Sequence, residues 1–318
     1  MSDRPYQNYE HLIATLKSRG LEIPDKDYAI EVLKTRSYYG LINAFKQSLT
    51  TRDSNQHEHF KSGTNFNDLV FQYYVENELK SILLKYSLLA EIRFKESVGH
   101  QLGSQYGENI NNWLRLTNFN NRTGKRSSFV QHFKKVSRET KNNPTKYYRD
   151  NHDAIPPWIL LPNLTIGEFK NLYSILNPSD REPVVESILY LSGQASQLQI
   201  SYVSNALSVL WHFRNSLAHG SRLIDFHSRT SISLMQTQSV YGLSFLSQDE
   251  YQQKKIGAND LFCFIAVINL LLGKIDRENF LGEIKTFFVE LQQLSETSTL
   301  FDSYLVKTRL PSDFLQRF

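Results

Sequence analysis

From Asn65 to about Leu102 the chain contains no proline and a single interior glycine, Gly99, while Leu69, Tyr73, Leu79, Leu83, Leu84, Leu88 and Ile92 return at helical spacing. A run of that length and period is one long helix or two nearly collinear ones. A helix this long must bury its apolar stripe against other elements, so it commits the chain to helix packing. Composition points the same way. Fourteen Gly and nine Pro in 318 residues make up about 7% of the chain, against an average of about 12%, too few for a turn-dense β protein or a linker-rich one. The expected fold class is all-α.

Shorter helices surround the long one. Leu12, Ile13 and Leu16 pattern a helix over Asn8–Arg19 that stops at Gly20, and Tyr28, Ala29, Val32 and Leu33 pattern a second from about Asp25 to Thr35. Further helices are expected over Ile166–Leu176, Pro183–Leu191, Ile200–His219, from Asn259-Asp260 through Leu272, and over Asp276–Leu294. Arg52–Gly63 reads as a polar loop, Pro156-Pro157-Trp158 as a break with Trp158 used in packing, and Ser231–Phe245, with weak alternation, as a loop or small hairpin. The expected organisation is an N-terminal helical region, 1–62, and a helical bundle, 63–318, forming one compact unit.

Several function classes drop out. The one cysteine, Cys263, excludes an intrachain disulfide and any cysteine-clustered metal site, and its apolar surroundings make it a buried small hydrophobe. The run from Leu261 to Leu272 is interrupted by Asn269 and falls short of the roughly 18 apolar residues that a membrane span needs. The first residues carry no apolar segment of the secretory kind, so the expected location is cytoplasmic, with no membrane partner. His57-Glu58-His59 offers two candidate ligands without a third and reads as a surface loop. No metal and no cofactor are expected.

Charge is concentrated in one place. Within residues 121–150, Arg122, Lys125, Arg126, Lys134, Lys135, Arg138, Lys141, Lys146 and Arg149 face only Glu139 and Asp150, a net +7, so the other 288 residues carry −3 of the chain's +4. Phe129, His132, Phe133, Tyr147 and Tyr148 are interleaved with these cations. Lys and Arg neutralise phosphates and aromatic rings stack unpaired bases, so Lys125, Arg126, Lys134, Lys135 and Arg138 are candidate RNA contacts.

The helix over Ile200–His219 holds the candidate chemistry. Arg214 falls on the stripe defined by Val203, Leu207, Leu210, Trp211, Leu217 and Ala218, and a guanidinium on such a stripe requires an ion pair, a carbonyl cluster or a cleft open to an anion. His212, Asn215 and His219 follow at spacings of three and four on the adjoining face. An Arg and a His separated by four residues at a helix end suit phosphodiester chemistry. Imidazole moves protons near neutral pH, and guanidinium faces the charge that builds on a pentavalent phosphate. Spacing alone does not select this pair, because an Arg followed by a His after four to six residues occurs seven times in the chain. The apolar helix, Asn215 beside Arg214, and the exit through Gly220 select it.

Arg214-Asn215-Ser216-Leu217-Ala218-His219-Gly220-Ser221-Arg222-Leu223 resembles the signature of the Abi-like (AbiD/AbiF) abortive-infection proteins, a branch of the HEPN superfamily of helical nucleases and nucleotide-binding proteins. Arg19-Gly20-Leu21, Tyr38-Tyr39-Gly40, Gly63-Thr64-Asn65-Phe66, the long helix with Glu91 and Arg93, and Pro157-Trp158 are similar to family landmarks in the same order. The resemblance implies a HEPN-like helical bundle with an N-terminal helical extension and a basic inserted segment. It implies a metal-independent ribonuclease of phage defence, with Arg214 and His219 as the catalytic pair and Asn215 orienting phosphate. Glu91, Arg93 and Arg222 would support the site, Glu91 and Arg93 matching an acidic–basic pair of the family that would pair with Arg214 or hold the site together. One His does not easily perform both proton transfers, so a homodimer bringing two motifs together is expected. The alternative function is a non-catalytic RNA-binding module that works with, or is regulated by, a small structured noncoding RNA.

Overall fold

The computed structural model describes residues 6–294, 304–305 and 307–318, and they are predominantly helical. The chain divides into two compact units, residues 1–81 and 82–318, and the division falls inside the long helix.

In the first unit, α1 (Tyr9–Ser18) starts at Asn8, whose side chain accepts the His11 N–H, and ends before Gly20, which takes φ +87°. Helix α2 (Lys26–Thr35) starts in the same way at Asp25, which accepts the Tyr28 N–H. Between this pair and α3 (Phe66–Tyr106) the segment expected to be a polar loop contains a hairpin, β1 (Thr50–Arg52) with β2 (Glu58–Phe60), in the register Thr51↔His59. Polar composition hid it because the turn, not the strands, organises it: Asp53 Oδ1 accepts the N–H groups of Asn55 and His57, both at 2.9 Å. Ile13, Leu16, Leu33, Leu41, Ile42, Phe60 and Leu69 close a core within this unit.

The second unit continues α3 and adds α4 (Ile110–Trp113), α5 (Arg126–Glu139), α6 (Thr145–Asn151), α7 (Pro157–Leu160), α8 (Ile166–Ile175), α9 (Pro178–Leu189), α10 (Gln197–Ala218), α11 (Leu234–Tyr241), α12 (Gln248–Gln252), α13 (Leu261–Leu271) and α14 (Lys274–Leu294). Every residue of α13 is buried, Cys263 among them, and burial pushes that thiol well up from its ordinary pKa. Helix α10 packs against α8, α9, α11 and α13, and α8 also packs against α5. Among the described residues no helix is long and apolar enough to cross a membrane.

Two local readings change. The loop expected over Ser231–Phe245 contains α11, because Ser233 and Gln236 form a reciprocal capping box that outweighs the weak alternation. Helix α9 begins at Pro178 rather than Pro183. Pro178 occupies the first helical position, where a missing N–H costs nothing, and the helix then accommodates Pro183 internally.

Trp158 packs as expected, and its partner surface is glycine. A Cβ at Gly103 of α3 would lie 2.5 Å from Trp158 Cζ3, and one at Gly99 3.2 Å from Trp158 Cα. Gly103→Ala gains about 1 kcal/mol of helix propensity but overpacks the ring, which typically costs about 1–3 kcal/mol. A lowered denaturant midpoint is expected, and an unchanged or raised midpoint would show that the ring gives way freely.

The C-terminus is tied down by charge. Arg317 Nη2 contacts Glu250 Oε1 at 2.6 Å, and chiefly this pairing, helped by Ser247, pulls the Glu250 carboxyl down to about 2. A carboxylate depressed on folding adds stability above its unfolded pKa, near 4.5 here, and loses it as pH falls through the folded value. Arg317→Ala is therefore expected to lower stability at neutral pH and to flatten its fall between those two values, as read by denaturant titration across that window. Equal pH slopes in the two proteins would refute the pairing.

Candidate active site

Helix α10 opens with a reciprocal capping box between Ser196 and Gln199 and buries Tyr202, Val203, Ala206, Leu207, Val209, Leu210, Phe213 and Leu217. Phe213 stacks on Phe264 of α13 with ring centroids 4.2 Å apart, which fixes the rotation of the last two turns. Trp211 is half-buried and Ala218 exposed, so the buried stripe is centred on Phe213 rather than on Trp211. Arg214 consequently sits at the edge of the stripe, half-buried.

The helix ends in a Schellman motif. Ser221 N–H donates to Ser216 O and Gly220 N–H to Leu217 O, while Gly220 takes φ +69°. His219 is the C-cap residue and is exposed, and its own N–H donates to Asn215 O. Among the described residues none hydrogen-bonds to its ring. The imidazole is presented to solvent on backbone that the cap holds in place.

Arg214 finds its partner on α3. Its Nε lies 3.6 Å from Glu91 Oε2, an ion-pair contact longer than a hydrogen bond, and neither buried atom has a hydrogen-bonding partner. The other carboxylate oxygen, Oε1, is 2.7 Å from Lys95 Nζ, which in turn donates to the Leu164 carbonyl at 2.6 Å. Glu91 and Lys95 side chains are only 8% and 7% exposed, whereas Arg214 is 31% exposed. A buried carboxylate held by a buried lysine thus anchors the inner edge of a guanidinium whose outer part reaches solvent. On that outer side Arg214 Nη1 is 3.5 Å from Asn215 Oδ1. Arg214, Asn215 and Glu91 lie together, and His219 follows Asn215 by one turn at the helix end.

The other supporting candidates lie elsewhere. Arg93 joins two helix ends: its Nη1 donates to the Leu270, Leu271 and Leu272 carbonyls at the end of α13, and its Nη2 to Ser187 and Ile188 at the end of α9. It also lies over the Tyr190 ring at 4.8 Å. Its contribution is to hold the bundle together. Arg222 pairs with Asp225 three residues on. Lys95 was missed, although its signal was present: Glu91 and Lys95 are four apart in one helix and so share a face, whereas Glu91 and Arg93, two apart, do not.

The basic segment is ordered as α5 and α6. Helix α5 buries Val130, Phe133 and Ser137. Lys125, Lys135 and Arg138 are exposed and Lys134 half-exposed, with Lys135 3.7 Å from Glu139. Some of the charge serves the fold. Arg126 Nη1 donates to Phe119 O, and Arg149 Nη1 caps α5 through the carbonyls of Ser137, Arg138 and Thr140. His132 Nε2 lies 2.6 Å from Glu168 Oε1 at the start of α8. Tyr147, Tyr148 and His152 form a ring cluster in which Tyr147 is exposed. His57 and His59 both approach Asp53 in the hairpin. Among the described residues no group of three or more His, Cys, Asp or Glu is placed to hold a metal ion.

A family model described as Abi-like protein matches residues 31–225, which covers α3 through α10 and the whole Arg214–His219 segment. Neither a search of curated proteins nor one of solved structures finds a match.

Proposed function

The chain belongs to the Abi-like protein family, and from that premise we propose that it is a HEPN-type, metal-independent endoribonuclease of an abortive-infection system. The family points to a role in defence against phage. Two observations support the enzymatic reading: a guanidinium, Arg214, anchored from behind by the buried Glu91–Lys95 pair, and an exposed imidazole, His219, at the end of the same helix. Preorganised charge aimed at a developing oxyanion is the largest single contribution to catalysis in many enzymes, and an anchored guanidinium costs little to reorganise.

The reaction balances with these groups. An imidazole accepts the proton of an RNA 2′-hydroxyl, the O2′–P bond forms, and Arg214 faces the equatorial oxygens of the pentavalent phosphate. The P–O5′ bond then breaks as a second imidazole gives its proton to O5′. The products are a 2′,3′-cyclic phosphate and a 5′-hydroxyl. Within this chain the nearest other imidazole on α10, His212, is about 10 Å along the helix axis and cannot reach the same phosphate. We assign the second proton donor to His219 of a second copy, which makes the active form a homodimer. Lys125, Lys134, Lys135 and Arg138 supply phosphate contacts away from the reacting centre.

The test is incubation of the purified chain with total bacterial RNA in excess EDTA, followed by end-group analysis. Fragments ending in 2′,3′-cyclic phosphate are expected. Intact RNA, or cleavage that EDTA abolishes, would refute the assignment.

A further inference from the structure

Next to the Arg214–His219 pair, on the same polar strip of α10, lies a second group of cations that the mechanism does not use. His212 stands one turn before Asn215 and two turns before His219, at offsets of three and seven that share one face. Its Nδ1 is 2.8 Å from Ser228 Oγ. Ser228 is itself buried and pinned at both backbone groups, its N–H donating to Asn259 O and its carbonyl accepting from Asn259 Nδ2. Ser228 Oγ accepts the Thr230 N–H at 3.0 Å, and in the tautomer in which its own proton goes to Nδ1 the neutral ring carries a proton on Nε2 and is a donor there.

Two permanent cations belong to the elements beside this imidazole. Lys170 of α8 sits with Nζ 4.7 Å from the centroid of Trp211, whose ring lies 4.7 Å from that of His212. Gly167, one turn earlier in α8, allows that approach, since a Cβ there would come within 3.3 Å of Trp211 Nε1. Arg229, exposed, follows Ser228 directly in the chain. Among the described residues no carboxylate pairs with Lys170 or Arg229. Burial chiefly, then the charges of Lys170 and Arg229, lowers the His212 pKa. Cations gathered about one neutral donor, without a counter-charge, make a site for an anion.

We propose that Lys170, His212 and Arg229 form a phosphate subsite that holds the RNA phosphate neighbouring the one that is cleaved. The subsite rests on the ribonuclease reading, because what makes its ligand a strand phosphate is its place on the α10 face that carries Asn215 and His219. It lies where α8 meets α10, and α8 is also the helix against which the basic α5 packs. Lys170 and Arg229 give charge, His212 Nε2 gives a directed hydrogen bond, and Trp211 positions Lys170. Binding energy taken from a non-reacting phosphate then orients the scissile one.

The experiment is equilibrium binding of a fluorescent RNA oligonucleotide with 2′-O-methyl riboses, which cannot be cleaved by 2′-oxygen attack. The full-length wild type, Lys170→Ala, Arg229→Ala and the double variant are titrated over a series of salt concentrations. Each single variant is expected to weaken binding about tenfold at low salt and to reduce the slope of log K against log salt by about 0.7, the contribution of one single-strand phosphate contact. The double variant should lose about twice that slope. Excess inorganic phosphate should displace the oligonucleotide only weakly, because a single phosphate lacks the neighbouring contacts. If wild type and variants bind with superimposable curves, the subsite is wrong and RNA binding stands. If the wild type binds no RNA, the subsite and the reading beneath it fall together.

Discussion

His219→Ala is expected to lower the single-turnover rate of RNA cleavage by about 10²–10⁴, the usual contribution of a positioned acid–base group, while leaving the fold and RNA affinity unchanged. The fold should not respond, because His219 is exposed and its structural contribution is a backbone cap that Ala also makes. Binding should not respond, because the phosphate contacts proposed for α5, Lys170, His212 and Arg229 do not involve the His219 ring. The three readouts are separate: quenched-flow cleavage, a denaturation curve, and binding to uncleavable RNA. A variant that cleaves at the wild-type rate would remove His219 from the mechanism, and one that loses rate only in proportion to stability would reduce it to a structural cap.

Replacement of Glu91 is expected to have the largest effect on stability. Its carboxylate is the charge partner of Lys95, and both side chains are less than a tenth exposed. Removing one member of a buried pair typically costs about 3–5 kcal/mol, since the remaining charge is left without compensation. Glu91→Ala should therefore show a large loss in denaturant midpoint. Glu91→Gln keeps the shape and one acceptor for Lys95, so it should remain folded at a smaller cost yet cleave RNA more slowly, because Arg214 Nε loses its anchor. The loss should appear in kcat more than in KM if Arg214 acts on the transition state. A Glu91→Ala protein with wild-type stability would contradict the buried pair, and a folded Glu91→Gln protein with wild-type kcat would contradict the positioning of Arg214.

Much of the architecture was legible because long helices repeat their apolar residues many times. The period over α3 and the apolar spacing in the segments that start at Asn8, Asp25 and Asp260 located those helices to within a few residues. The reading failed where a single local device outweighed composition: the Asp53 turn that folds a polar segment into a hairpin, the Ser233–Gln236 box that starts α11, and Pro178 at the head of α9. Arg214 was legible as a residue needing a partner, and it was the family resemblance, not any local pattern, that pointed to Glu91 for it, because their meeting depends on how α3 lies beside α10. Arg93 illustrates the same limit. Its charge suggested chemistry, and the structure uses it to satisfy carbonyls at the ends of α9 and α13. The +7 of the basic segment was visible as a number, but not the share of it, Arg126 and Arg149, that holds backbone carbonyls in or beside the segment.

The central claim is that Arg214 and His219 act as one catalytic unit, and a double-mutant cycle on the cleavage rate tests it most directly. Wild type, Arg214→Ala, His219→Ala and the double variant are assayed in EDTA for release of 2′,3′-cyclic phosphate ends. Groups that act together are strongly non-additive, so both single variants and the double variant should fall to nearly the same residual rate. Single losses that multiply in the double variant, or a single variant that keeps the wild-type rate, would contradict it.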